Sequence, residues 1–343
     1  MKALLLKQIH DLRKETNPLI LSDIPRPQPQ ANELLLQVLV CGVCHTELDE
    51  IEGRTPPPKF PVVLGHEVIG KVIEVGKDVT KHKVGDRVGV GWIWSACGKC
   101  EFCRRGEENL CADFRATGRD ANGGYAEFMT VPQDYAYPIP AIFSDAQAAP
   151  LLCAGGVGYR SLVLTGLKDG DTLGLTGFGA SGHLVLQMAK HKYPHSKIFV
   201  FARSEKERDF AISLGADWAG DTMDMPPEKC QAIIDTTPVW KPVVEAMKNL
   251  LPGGRLVINA IRKENIDQEY LLKLNYAEHL WQEKEIKSVA NVTADDIAEC
   301  LKLAAEIPII PEVTEYKLTD ANRALVELKQ GNIRGAKVLR INR

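Results

Sequence analysis

The residues with the greatest chemical potential in this chain are its thiols. It has nine cysteines, at positions 41, 44, 97, 100, 103, 111, 153, 230 and 300. Four form a cluster, Cys97-Gly-Lys-Cys100-Glu-Phe-Cys103 and then Cys111. Short C-x₂-C steps let backbone turns aim several thiolates at one point. Such a set suits zinc, which accepts a tetrahedral shell of four sulfurs. An iron–sulfur cluster is the rival, since four cysteines also hold those, and the residues favour zinc without settling it. Four protein ligands close the shell, so this site is expected to be structural. Without a metal, clustered exposed thiols would oxidise. An odd, clustered count is also unlike a disulfide framework.

A second set is dispersed: Cys44-His45-Thr46, Gly65-His66-Glu67 and Cys153. Spacing alone does not join them. A lone buried cysteine is usually a small hydrophobe, and a lone histidine is usually satisfied locally. A third set is Gly177-Phe-Gly179-Ala180-Ser-Gly182. This G-x-G-x-x-G follows a predicted strand, 172–176, and opens a predicted helix, 183–191, as a dinucleotide site requires. The glycines permit a tight turn, and the helix N-terminus faces a pyrophosphate. An acidic residue about 20 positions on would hold the adenosine ribose hydroxyls. Ala202, Arg203 and Ser204 stand there instead, with Arg208 beyond. A guanidinium pairs with a 2′-phosphate that a carboxylate would repel. The expected cofactor is therefore NADP(H) rather than NAD(H).

The elements that must position these groups change character along the chain. Up to about residue 150, short apolar runs are split by Gly and Pro, predicting an irregular β-rich domain. Residues 145–167 have helical apolar spacing with an interruption at Gly155, Gly156 and Gly158. Strands at 172–176, 197–202, 232–235 and 255–259 then alternate with helices. One of these opens at Ser204-Glu-Lys-Glu207, a capping-box pattern. This alternation predicts a doubly wound parallel sheet. A helix at 319–330 and a strand at 337–341 close the chain.

Length and composition bound the rest. The chain has 343 residues, which predicts two domains. It is 45% hydrophobic and 25% charged, so disorder is excluded as the main state. No apolar run approaches the roughly 18 residues of a membrane span. The formal net charge of −3 gives no basic footprint for nucleic acid. The only apolar run near the start, 3–6, is too short for a signal peptide, so a cytoplasmic protein is expected.

In this order, the motifs resemble those of the zinc-dependent alcohol dehydrogenases of the medium-chain dehydrogenase/reductase superfamily, over essentially the whole length. The resemblance rests on Gly65-His66-Glu67-x₂-Gly70-x₅-Gly76-x₂-Val79, on Gly42-Val-Cys44-His45-Thr46, on the four-cysteine lobe, on Leu151-Leu-Cys153-Ala-Gly and on the Gly-rich turn. It implies an α/β fold, with a β-rich, GroES-like catalytic domain formed by 1–148 and 290–343. Residues 149–289 would form a Rossmann domain. It implies a catalytic zinc on Cys44, His66 and Cys153 with Glu67 beside it, and a structural zinc in the lobe. Thr46 matches the hydroxyl that bonds the substrate oxygen, and His45 a position beside the cofactor phosphates or the proton path. Trp92 and Trp94 match a substrate pocket. Glu47 and Arg340 match a paired acid and base that orient Cys44 and its neighbours. Where many relatives place a relay histidine, five residues after Cys44, this chain has Asp49, so the proton relay implied by the resemblance ends at His45, at Asp49 or in water. Cys41, Cys230 and Cys300 fit no site and are expected to be packing thiols.

The implied activity is hydride exchange between an alcohol, or the aldehyde or ketone in reverse, and a nicotinamide cofactor. The implied assembly is a homodimer or homotetramer. The alternatives are a zinc-free quinone or enoyl reductase, a polyol or sugar dehydrogenase, and a non-enzymatic zinc and dinucleotide binder. The cysteine sets weigh against the first. Cys153 in place of a carboxylate weighs against the second, and Thr46 beside a complete ligand set against the third.

Overall fold

The computed structural model describes residues 1–307, 309–331 and 335–341. Contacts divide the chain into two compact units, Met1–Cys153 with Val292–Arg343, and Ala154–Asn291.

The first unit begins with β1 (Lys2–Leu6), β2 (Leu19–Asp23) and the long β3 (Glu33–Val43). Helix α1 (His45–Ile51) follows at once, then β4 (Val62–Val63), β5 (Val68–Val75), β6 (Arg87–Val90) and β7 (Ile93–Ser95). The cysteine lobe carries α2 (Glu101–Arg104). Beyond it lie β8 (Arg115–Ala116), β9 (Phe128–Pro132), β10 (Tyr137–Pro138) and α3 (Asp145–Ala148).

The second unit holds α4 (Ala154–Thr165), β11 (Thr172–Thr176), α5 (Ala180–Lys192), β12 (Lys197–Phe201), α6 (Glu205–Ser213) and β13 (Trp218–Gly220). It continues with β14 (Cys230–Asp235), α7 (Lys241–Lys248), β15 (Leu250–Ile258) and β16 (Glu285–Ser288). The chain then returns to the first unit through α8 (Ala294–Glu306), β17 (Val313–Lys317), α9 (Ala321–Lys329) and β18 (Ala336–Arg340).

In the first unit, one sheet runs β10-β6-β5-β3-β18-β17, with β9 also paired to β3. Its centre is β3, an almost unbroken apolar run whose residues from Glu33 to Leu36 and from Val40 to Val43 are all buried. A strand covered on both faces needs apolar residues at every position rather than at alternate ones. Leu36, Val38, Val68, Val88 and Tyr125 join the core around it, and α9 adds Leu325 and Leu328.

In the second unit, six parallel strands run β13-β12-β11-β14-β15-β16. Sequence order reverses between β11 and β14. In such sheets the carboxyl ends at the reversal form the ligand crevice. The predicted parallel sheet is present, and α5 starts at Ala180, earlier than the sequence suggests.

The stretch 145–167 differs from expectation. Its break falls at Cys153 rather than at the glycines. Residues 149–152 make a tight 3₁₀ turn containing Pro150, and Cys153 leaves helical geometry at φ −124° and ψ −79°. Gly155, Gly156 and Gly158 lie inside α4. Glycine allows close packing as well as turns, and a side chain at Gly158 would come within 2.9 Å of Val185.

Leu36 is fully buried at the centre of this sheet. Leu36→Ala is expected to destabilise the protein by about 2–5 kcal/mol. Denaturant titration should show a lower midpoint; an unchanged midpoint would mean the site collapses without a cavity.

Candidate metal and cofactor sites

Antiparallel pairing of β3 with β5 sets Cys41 opposite Val68, and the Gly42 N–H donates to the Glu67 carbonyl at 2.9 Å. The same register carries Cys44, where β3 turns into α1, toward His66. Cys153 enters from the 3₁₀ turn. The donor atoms of Cys44, His66, Glu67 and Cys153 all lie within 4.8 Å of one another. Cys44 Sγ is 3.8 Å from Cys153 Sγ, and His66 Nε2 is 3.3 Å from Cys153 Sγ. These spacings exceed a disulfide bond of about 2.05 Å. They match the edges, about 3.8 Å between sulfurs, of a tetrahedron with zinc–sulfur bonds near 2.3 Å.

The surroundings also call for a cation. Glu47, Glu50, His66 and Glu67 are all buried. Glu47 is fully engaged: one oxygen accepts from the Cys44 N–H at 2.8 Å and the other meets His66 Nδ1 at 2.6 Å. That bond fixes the imidazole and leaves Nε2 facing the thiols, a common arrangement behind a metal-binding histidine. Neither carboxylate oxygen of Glu50 has a hydrogen-bond partner. Burial pushes the Glu50 carboxyl well up, and Glu47 adds to it. Burial likewise pushes up Glu67, helped by Cys44. The hydrogen bond from Cys153 holds Cys44 well below the usual thiol range and Cys153 well above it. Burial opposes charge on His66, but Glu47 and Cys44 outweigh it and raise its pKa. A cation among these donors would favour the ionised forms that burial opposes. The donor chemistry and the spacings thus fit zinc.

The lobe forms a second set, with the donor atoms of Cys97, Cys100, Cys103 and Cys111 within 4.8 Å of one another. Cys103 Sγ lies 3.9 Å from Cys97 Sγ and 3.5 Å from Cys100 Sγ. Backbone N–H groups of Lys99 and Cys100 lower the Cys97 thiol to about 6, whereas burial and Cys100 raise Cys103 to about 12.

In the second unit, the Gly-rich turn joins β11 to α5. Gly177 has φ +77°, and a Cβ there would meet Thr236 Oγ1 at 2.8 Å. A Cβ on Gly182 would meet the Gly177 carbonyl oxygen at 2.8 Å, whereas one on Gly179 would project into open space. A glycine facing open space at a helix N-terminus is the cradle a pyrophosphate fills. Arg203 is exposed past the end of β12, with no side-chain partner among the described residues. Ser204 caps α6, accepting from the Glu207 N–H at 3.4 Å. Arg208 donates to the carbonyls of Ala202 and Arg203 at 2.8 and 3.0 Å, so it braces the strand end.

Other expected residues take varied places. The Thr46 hydroxyl lies 3.7 Å from Cys44 Sγ, and His45 is exposed. Trp92 packs edge-on to His66 with centroids 5.2 Å apart. Trp94 does not share that contact: its indole N–H donates to the Thr130 carbonyl and Arg115 stacks on its ring. Arg340 is not paired with Glu47. It lies at the exposed end of β18 and bonds Glu315 at 2.6 Å, while Glu47 is already saturated by Cys44 and His66. Asp49 is buried and bonded to Arg54 Nε at 2.5 Å. Glu50 escaped the sequence reading, and so did the reason for the glycine at 42. Glu50 stands in an acidic stretch, Glu47-Leu-Asp49-Glu50, that carries no spacing signal. At Gly42 any Cβ would sit 1.9 Å from Glu67 Oε2, so Glu67 occupies the place of a side chain.

Residues 30–141 match the alcohol dehydrogenase GroES-like domain family. The chain is 44% identical to a probable alcohol dehydrogenase of Mycobacterium tuberculosis, over 95% of this chain and 94% of the relative. It is 34% identical to an alcohol dehydrogenase of Geobacillus stearothermophilus, covering 100% of both. Its fold superposes on a cinnamyl alcohol dehydrogenase from Sorghum bicolor with a TM-score of 0.81 at 27% identity, covering 99% of this chain and 97% of that one.

Metal analysis should find about two zinc ions per chain, one per donor set, and Cys97→Ser should remove one of them. Metal competes with protons for thiolates. Cys97 is ionised above about pH 6, so below that pH the lobe must displace one more proton. Its zinc affinity, measured by chelator competition, should therefore fall more steeply as pH drops through about 6.

Proposed function

Because this chain belongs to the zinc-dependent alcohol dehydrogenases of the medium-chain dehydrogenase/reductase superfamily, we propose specific roles for its residues in an NAD(P)-dependent alcohol dehydrogenase reaction. The observation that carries the proposal is the meeting of Cys44, His66 and Cys153 at tetrahedral spacing.

These three residues would hold the catalytic zinc, with Glu67 as an adjacent carboxylate, and the lobe a structural zinc. Bound there, zinc supplies Lewis acidity, which lowers the pKa of a hydroxyl or polarises a carbonyl, and the nicotinamide carries the hydride. The protein's own groups hold and orient. Glu47 locks His66 and the Cys44 backbone. Thr46, two residues from Cys44, offers a hydroxyl that can bond the substrate oxygen and pass its proton. His45 is open to solvent and is the better proton exit, since Asp49 is held by Arg54. Trp92, against His66, gives the site an apolar wall suited to small alcohols and aldehydes.

NADP(H) is favoured over NAD(H) because Arg203 is exposed and unpartnered where a 2′-phosphate would lie, with no carboxylate beside it on β12. The nine free cysteines suit a reducing compartment, supporting the cytoplasm. Among the described residues no helix is long and apolar enough to cross a membrane. A homodimer or homotetramer completes the proposal, by analogy with the family.

A panel of primary, secondary and aromatic alcohols and aldehydes, run with both cofactors, tests the activity. No turnover by zinc-replete protein would overturn it. Cys44→Ala should lose one zinc and activity while keeping the fold; retained activity would sink the ligand assignment. Arg203→Asp should lower the preference for NADP(H) over NAD(H) by roughly tenfold or more, as expected for loss of a charge-assisted phosphate contact. An unchanged ratio would show that Arg203 does not read the phosphate.

A further inference from the structure

A buried ion pair lies at the carboxyl ends of the second unit's strands, and none of the roles above uses it. Asp235, the last residue of β14, is fully buried. One of its oxygens accepts from Thr176 Oγ1 at 2.6 Å, Thr237 Oγ1 at 2.8 Å and the Thr237 N–H at 3.3 Å. The other accepts from Lys263 Nζ. Lys263 also donates to the carbonyls of Thr237 and Val239 at 2.7 and 3.1 Å. All three ammonium protons are thus committed inside the protein, so Lys263 is not itself a phosphate or substrate contact.

The pair joins two loops. The loop after β14 is tied to the end of β11 and the first glycine of the Gly-rich turn, since Thr236 Oγ1 donates to the Thr176 carbonyl at 3.0 Å and lies 3.4 Å from that of Gly177. The loop after β15 folds back onto it. Lys263 reaches Asp235, the Glu264 N–H donates to the Pro238 carbonyl at 2.6 Å, and Asp267 accepts from the N–H groups of Trp240 and Lys241. Strand order reverses between β11 and β14, so a dinucleotide lies with one half on each side of that point. Arg203, past β12, marks the adenosine side. The loops after β14 and β15 therefore border the nicotinamide side. A buried ion pair is seldom retained for net stability, since apolar replacements often do as well, but it can specify one arrangement.

The geometry points to Lys263 as a positioning residue that, through Asp235, fixes the loop after β15 so that the crevice accepts the nicotinamide-ribose half of the cofactor. This rests on the dinucleotide site proposed above. Lys263→Met removes the charge while keeping most of the stem's bulk. Binding is read by calorimetry, without turnover, using whichever of NADPH or NADH the wild type binds more tightly. The matching adenosine fragment, 2′-phospho-AMP or AMP, is the control.

The dissociation constant of the dinucleotide should rise roughly tenfold or more, as for loss of a preorganised site, while that of the fragment stays within about twofold. Lys263→Arg should recover part of the loss. If Lys263→Met does not fold, the charge-neutral pair Lys263→Met with Asp235→Asn takes its place and should show the same split. Equal weakening of dinucleotide and fragment would overturn the proposal, because it reports general damage to the sheet. Unchanged binding of both would overturn it as well. Failure of the wild type to bind either dinucleotide would instead sink the cofactor reading itself.

Discussion

The hydrogen bond between Glu47 and His66 is the constraint on which the first site depends. It links α1 to the start of β5 and turns one imidazole nitrogen toward the sulfurs. The other oxygen of Glu47 holds the Cys44 backbone, so one carboxylate sets the places of two donors from different segments. The β3–β5 register supplies the rest. A slip of one residue would reverse the faces of both strands and carry Cys44 away from His66.

Around this bond the protein has gathered acidic groups that burial holds toward their neutral forms, Glu50 and Glu67 among them. Glu47, Glu50 and Glu67 are buried beside the half-buried thiols of Cys44 and Cys153, and of the three only Glu47 is bonded to His66. Such an arrangement is costly in an apolar interior unless a cation is bound. The cost therefore tells what the site is for, and metal loading and local stability should be linked. The second unit treats charge differently. Asp235 and Lys263 satisfy each other and the neighbouring carbonyls, so that cluster is complete without a ligand and can act as a fixed support.

Much of this was legible in the sequence because it is local. The lobe's four cysteines lie within one turn-rich segment, so their spacing alone announces a metal. The Gly-rich turn is flanked by its own strand and helix, so its context could be tested by pattern. The parallel sheet follows from apolar runs alternating with helices, and the absence of a carboxylate after β12 is a matter of counting. Arg340 shows the opposite case. Matching it to Glu47 required knowing which neighbour a strand-end side chain would meet, and the arrangement of β18 gives it Glu315.

The sequence by itself therefore determined the element types, the four-cysteine lobe and the Gly-rich turn, because each depends on residues close together along the chain. The tertiary structure alone decided what depends on distant segments meeting. It brought Cys153, ambiguous by spacing, to 3.8 Å from Cys44. It buried Glu50 in α1, engaged Asp49 with Arg54, and joined Lys263 to Asp235 across two loops. Hydrophobic pattern fixes which face of an element is covered; which polar groups then share the covered space depends on sheet register and loop closure, and those are set only when the whole unit packs.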